Sequence, residues 1–361
     1  MKNLLLLPVF FLLISCSAQE QPVFTSFTKP AENPILKADS TFVFICPVKK
    51  ELVRWQKADV FNPGAIVKDN KVYLLYRCED NSAAALGGRT SRIGLAESKD
   101  GIHFIKHPTP ILYPDSGEFM QYDYPGGCED PRVVVTEDST YILTYTSWNQ
   151  KTASLSIAFS KDLVNWTKKG TAFAKANNGK FMKDWTKSGS IITKFQGDKQ
   201  VVAKIKGKYW MYWGEHFINL AWSENLIDWN PILNEKGELK VIAGPRKNKF
   251  DSKLSECGPP ALITKEGIVL LYNGKNAEGI ESDSKFAPGT YCVGKLVFDI
   301  NDPERIIYRS ENPVLYPTLK HEISGQYKSG TTFAEGLVFF QNRWILYYGT
   351  ADSFVGVAIQ E

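Results

Sequence analysis

The sequence predicts an all-β fold, a five-bladed β-propeller whose central cavity is the candidate active site. Three observations predict it. One apolar phrase recurs five times along the 361 residues, each copy is flanked by further strand-like segments, and almost no stretch has helical periodicity. The copies are VYLLYRCED (72–80), YILTYTSWN (141–149), YWMYWGEHF (209–217), IVLLYNGKN (268–276) and WILYYGTAD (344–352). Each is rich in β-branched and aromatic residues and ends in polar ones.

Short polar turns such as KDNK, TEDST and TKEG precede the copies, and a further apolar strand precedes each turn: GAIV, PRVVV, SGSIITKF, PPALIT and GLVFF. A third strand follows, often closed by a Ser-x-Asp-like turn and an aromatic, as in RIGLAESKDGIHF, LSIAFSKDLVNW and INLAWSENLIDW. The fourth version, CVGKLVFDINDP, is degenerate, and VGVAIQE supplies the fifth. A spacing of roughly 60 to 75 residues suits a decorated four-stranded blade. A two-sheet sandwich is the competing architecture, but five hairpins with matched third strands favour radial repetition.

The N-terminal MKNLLLLPVFFLLISC has one lysine and an apolar stretch too short to span a bilayer, the layout of a signal peptide. Leu13-Ile14-Ser15-Cys16 resembles the lipobox of bacterial lipoproteins. That resemblance implies cleavage before Cys16, lipid on its thiol, and residence in the bacterial cell envelope, on its periplasmic or surface side. The alternative is an ordinary signal peptide with an incidental cysteine. The expected organisation is a signal peptide at 1–15, a tether and lead-in at 16–45, and one propeller at 46–361. With 43 basic against 39 acidic residues and no Lys/Arg-rich run, nucleic acid is not an expected partner, and the lipid is the only expected hold on a membrane. The other five cysteines show no C-x-x-C spacing, which argues against zinc, and no disulfide is expected.

In a propeller the first strand of each blade lines the channel. Just ahead of those strands stand Phe61-Asn62-Pro63, Glu129-Asp130-Pro131, Lys187-Ser188-Gly189, Glu256-Cys257-Gly258 and Lys328-Ser329-Gly330. The second strands return to the same end with Arg77, Asp80, Trp148, Glu215, Asn273 and Asp352. Carboxylates, amides, bases and aromatics around one concavity suit a carbohydrate, and glycoside cleavage usually needs two carboxyl groups. There is no G-x-S-x-G, no H-E-x-x-H and no phosphate loop, so triad and zinc hydrolase chemistry lack support, and no cofactor or metal is called for. Tyr124, Trp148, Trp185 and Trp213 are candidate sugar-stacking rings, with Asp123 and Asp184 in loops beside them.

The motifs FNPGAIVKDNKVYLLYRCED, SRIGLAESKDGIHF, GGCEDPRVVV, the Gly-Pro-Pro after Glu256, and YYGTADSFVGVAI together resemble glycoside hydrolase family 130. The resemblance implies a five-bladed propeller acting on β-mannosides with inversion, by water or by inorganic phosphate. It implies that Asp130 of E-D-P-R is the general acid, working through the mannose 3-hydroxyl. Asn62, Arg77, Asp80, Ser91, Arg92 and Asp352 would surround the mannose, with Glu129, Lys187 and Asn273 as further substrate contacts. Family phosphorylases commonly carry Tyr-His-Gly where this chain has Tyr272-Asn273-Gly274. The carboxylates of Glu215 and Glu256 would repel phosphate and match the pattern of the family's β-1,2-mannosidases. The expected activity is an exo-acting β-mannosidase on mannose-containing oligosaccharides, with Glu215 and Glu256 activating water; which of the two is the base stays open. A mannoside phosphorylase and a noncatalytic glycan-binding lipoprotein are the alternatives.

Overall fold

The computed structural model describes residues 23–84, 88–197 and 199–360; the expected signal peptide at 1–15 and Cys16 lie outside the described residues. The chain is β almost throughout, with one helical turn at Met120–Asp123 and three short 3-10 turns among the described residues. Every copy of the phrase is a strand: Lys71–Glu79, Tyr141–Trp148, Lys208–Trp213, Gly267–Lys275 and Arg343–Thr350. Each pairs antiparallel with the strand before it and the strand after it. The strands form open sheets of two, eight, five, seven and three strands.

The turns follow from their side chains. Asp69-Asn70, Lys206-Gly207 and Gln341-Asn342 each join paired strands with positive φ at both positions, which matches the twist of the strands they connect. After the third strands, Ser98, Ser160 and Ser223 each accept the backbone N–H three residues on at 2.9 Å. Asp100, Asp162 and Asn225 each accept two further N–H groups at 2.8–2.9 Å. These three turns are one motif in hydrogen-bonding terms. The degenerate fourth copy has no serine there, and Asp299 accepts the N–H groups of Asn301 and Asp302.

Neighbouring units touch one another, in part through their first strands. Asp59–Lys68 packs against both Gly127–Val135 and Phe333–Phe340. Thr144 Oγ1 donates to Gly189 O at 2.7 Å, Ser190 Oγ donates to Gly258 O at 2.7 Å, and Asn273 Nδ2 donates to Ala334 O at 3.1 Å. All five cysteines among the described residues are buried free thiols.

Two expectations need correction. The segment assigned to a tether and lead-in is part of the body from Val23 onward. Phe24 is fully buried with its ring 4.8 Å edge-on from Trp344, and Thr28 and Leu36 bridge Ile359 and Val355 on the outer edge of the last strand. Without that cover the three-stranded last sheet would present an open edge. Val23 itself is tied to the far turn of the fourth unit, its N–H donating to Glu266 at 2.6 Å and its carbonyl accepting from Lys295 at 2.5 Å. The third unit also departs from expectation. Its first strand splits into Ser190–Ile191 and Thr193–Gln196 because an added strand, Lys199–Val202, gives the latter its own antiparallel partner.

Candidate active site

A cavity of about 330 Å³ opens at the central end of these strands. Asn62 and Asp130, expected just ahead of their strands, lie inside them at β-bulges. Asn62 is the extra residue between the pairs Phe61–Arg77 and Pro63–Tyr76, and Asp130-Pro131 fall between Glu129–Thr146 and Arg132–Thr144. Both adopt the left-handed conformation that Asn and Asp tolerate best, with φ of 48° and 50°. A bulge interrupts the alternation of faces and re-aims a side chain, which is how both reach the cavity.

Asp130 is held by cations and an amide. Asn62 Nδ2 donates to it at 2.9 Å, Arg77 Nη1 at 3.2 Å, and Lys187 Nζ lies 3.5 Å away. Burial opposes ionisation, but Arg77 and Lys187 outweigh it and hold the carboxyl well below the usual range. Glu129, also buried, goes the other way: burial and the neighbouring Asp130 raise it to about 7 against the pull of Arg77. The like charges of this adjacent pair are therefore separated in protonation, and Arg77 bridges Glu129 and Glu79, each at 2.8 Å.

Lys187 feels four carboxylates, Asp130, Glu215, Glu256 and Glu129, which together raise its pKa against burial. Glu256 is buried and accepts from Ser188 Oγ at 2.5 Å; burial and Glu215 push it up to about 7 while Lys187 pulls it down. Glu215, two residues past the end of its strand and half-buried, accepts from Trp185 Nε1 at 2.6 Å. Asp352, with φ of 52°, completes the acidic lining and is raised to about 6, chiefly by burial.

Of the residues singled out from the sequence, the structure brings together Asn62, Arg77, Glu129, Asp130, Lys187, Glu215, Glu256 and Asp352 as cavity lining. Four stand behind it. Ser91 bridges Arg77 Nε at 3.2 Å and Glu129 at 3.1 Å, and Asp80 pairs with the buried Arg92 at 2.9 Å. Asn273, fully buried, pins the fifth unit through both ends of its amide: it donates to Ala334 O, and its Oδ1 accepts the Ala334 N–H at 2.8 Å. Arg77 thus holds Glu79 and Glu129, while Arg92 holds Asp80. Among the aromatics, Trp148 and Trp185 line the cavity, whereas Trp213 is core, packed at 4.6 Å on Phe173. Tyr124 and the exposed Asp184 lie outside the lining, and Asp123 is buried against Lys168 at 2.5 Å.

Sequence reasoning missed Tyr291 and Tyr327, which line the cavity with Lys275 Nζ 5.0 and 5.2 Å from their ring centres. Tyr327 directly precedes Lys328-Ser329-Gly330, so its place ahead of the fifth first strand was the available signal. Also missed was Glu335, fully buried at the bulge of the fifth first strand, 3.2 Å from Arg132. Arg132 in turn donates to the carbonyls of Asp130, Cys257 and Gly258 at 2.8–3.1 Å, tying the second unit to the fourth.

Repeated antiparallel units around a cavity rich in carboxyl groups and edged by aromatics define a carbohydrate-active protein. The family model described as β-1,4-mannooligosaccharide phosphorylase matches residues 28–361, and the chain belongs to that family, glycoside hydrolase family 130, whose members act on mannosides. It is 30% identical over 312 residues to a 1,2-β-oligomannan phosphorylase of Thermoanaerobacter sp. (strain X514), covering 85% of this chain and 91% of the relative. A solved structure of a putative glycosidase from Bacteroides thetaiotaomicron VPI-5482 is 51% identical and superposes with a TM-score of 0.92, covering 93% of this chain and 97% of that one. Another, reported with the statement that the GH130 family of mannoside phosphorylases contains glycoside hydrolases that target β-1,2 mannosidic linkages in Candida mannan, is 47% identical. Its TM-score is 0.92 and 94% of each chain is covered.

Proposed function

We propose that the protein is an inverting, exo-acting β-mannosidase that hydrolyses β-1,2-linked mannosides, built as a five-bladed propeller. The propeller reading is supported by the five hairpin units, by contacts that run from each unit to the next and from the fifth back to the first, and by the N-terminal segment that covers the last sheet. The observation that carries the choice of water over phosphate is the charge of the cavity. Its lining has five carboxyl groups against three cations. Two of those cations are engaged, Arg77 with Glu79, Glu129 and Asp130, and Lys187 with Asp130; the third, Lys275, sits over two tyrosine rings. A phosphate dianion needs convergent free donors, and here it would meet Glu215 and Glu256 instead.

In this reading Glu256 and Glu215 activate and orient the attacking water on one face of the mannose, with Glu256's raised pKa suited to a general base near neutrality. Asp130 supplies the proton to the leaving oxygen through the sugar 3-hydroxyl. Because Arg77, Lys187 and Asn62 favour its ionised form, Asp130 takes up that proton from solvent as the hydroxyl displaces one of their contacts, passes it to the hydroxyl as the hydroxyl's own proton goes to the leaving oxygen, and ends the turnover ionised. Arg77 and Asp352 flank the same position and are the proposed mannose contacts. The protein is anchored through Cys16 in the bacterial cell envelope; this part rests on the sequence alone. Among the described residues no helix is long and apolar enough to cross a membrane.

The names of the curated relatives favour a second reading, phosphorolysis. One assay separates the two. Incubation with β-1,2-mannobiose, with and without inorganic phosphate, is expected to release only mannose at a rate independent of phosphate. Mannose 1-phosphate as the product would sink the hydrolase reading. Asp130→Asn is expected to abolish turnover, and full activity in that variant would remove Asp130 as the acid.

A further inference from the structure

One stretch of four residues, Trp185 to Ser188, holds all three proposed catalytic carboxyls. Lys187 Nζ is 3.5 Å from Asp130, Ser188 Oγ donates to Glu256 at 2.5 Å, and Trp185 Nε1 donates to Glu215 at 2.6 Å. The stretch is fixed from both sides. Thr186 N–H donates to Ala153 O, Thr186 Oγ1 accepts from Leu155 N–H, and Gly214 N–H donates to Lys187 O, each at 2.9 Å. Glu215 follows Gly214, whose φ is 121°, beyond the end of its strand; the backbone on either side is held, with Cys257 N–H donating to Gly214 O and Ser255 N–H to His216 O at 3.2 Å, while the side chain is met by Trp185.

Trp185 differs from its neighbours in the stretch. It is 52% exposed, lines the cavity, and meets the Trp148 ring edge-on at 5.4 Å. A half-exposed indole normally leaves its N–H to water, yet this one is spent on a carboxylate while its ring stays open to the cavity. A pyranose has an apolar C–H face that stacks on such a ring.

We propose that Trp185 is a positioning residue: its indole N–H aims Glu215 at the attacking water, and its ring receives the leaving sugar. Seating the leaving sugar and orienting the carboxylate are then one event. The inference rests on the reading of Glu215 as a member of the base pair.

The test is a double-mutant cycle on β-1,2-mannobiose hydrolysis with Trp185→Phe, Glu215→Gln and both together, and Trp185→Ala alongside. Phenylalanine keeps a stacking face and removes the donor, so kcat is expected to fall about 10- to 100-fold with KM changed less than about threefold. Alanine is expected to lower kcat as far and raise KM as well. In the Glu215→Gln background Trp185→Phe is expected to cost nothing further, because its only route to the reaction has been removed. Unchanged thermal melting of Trp185→Phe separates these effects from misfolding. A wild-type kcat in Trp185→Phe, or losses that multiply in the double variant, would overturn the proposal while leaving the role of Glu215 intact. A near wild-type rate in Glu215→Gln alone would instead remove the base pair, and this inference with it.

Discussion

Gly349 never touches the substrate in the proposed mechanism, yet replacing it with alanine should slow the reaction. The added Cβ would lie 1.9 Å from Asn62 Oδ1 and 2.9 Å from Asn62 N. Ordinary carbon contacts begin near 3.4 Å, so the Asn62 amide must move by more than about 1 Å. Gly349 itself is outside the left-handed region, so alanine brings no backbone strain there and the effect is steric. The displaced amide is the one that donates to Asp130 at 2.9 Å. Losing that bond eases protonation of Asp130 but leaves its carboxyl without the contact that aims it; a hydrogen bond to a charged group contributes about 1.5–3 kcal/mol, so with aim the larger effect kcat/KM for β-1,2-mannobiose is expected to drop roughly 10- to 100-fold. Overpacking should lower stability by about 1–3 kcal/mol, read from urea midpoints. Asn62→Ala should cost a similar factor, and adding it to Gly349→Ala should cost little more, because both act through one amide. A Gly349→Ala variant with wild-type kcat/KM and midpoint would refute this account of Asn62.

Other outcomes are equally specific. Glu256 is raised to about 7, so as a base it loses its charge as pH falls, and kcat/KM should decline below about pH 7. The same shift acts on stability: between the unfolded carboxylate range and pH 7 the folded protein keeps a proton that the unfolded chain has released. Stability contributed by protonated Glu256 is therefore lost as pH rises through that window, and Glu256→Gln should flatten the fall in melting temperature between pH 5 and 8. Its activity should drop by several orders of magnitude; an active Glu256→Gln enzyme would be inconsistent with the base assignment. Asn273→Ala removes both hydrogen bonds to Ala334 and should cost about 1–3 kcal/mol of stability while leaving KM within a few-fold. A large rise in KM at unchanged stability would return Asn273 to the sugar site.

The strand repeat was legible because its signal is local. Apolar alternation, paired turn residues and the Ser-x-Asp turn are each complete within a dozen residues, and they locate all five central strands. The acids were legible as cavity residues too, since Asp130, Glu215 and Glu256 flank the apolar runs that the repeat aligns. What escaped depends on geometry finer than alignment. The bulges at Asn62 and Asp130 shift which residue faces the cavity, and the choice of Asp80 for Arg92 and Glu79 for Arg77 is made by side chains on adjacent strands. Asn273 ends a second strand as Asp352 does, but its fully buried amide meets the backbone of the next unit. Trp213 has the composition of a sugar platform and the burial of a core residue. The edge-covering role of residues 28–36 needs a pairing with the opposite end of the chain, which no local pattern announces.

The attachment of Val23 beside Glu266 has a consequence for how the cavity meets its surroundings. Glu266 sits in the turn that opens the strand Gly267–Lys275, and Lys275 at the other end reaches the cavity. At about 3.3 Å per residue those ends are roughly 25 Å apart. The chain thus joins its first 22 residues on the side away from the cavity. With the proposed lipid on Cys16, the membrane would lie on that side and the cavity would open away from it.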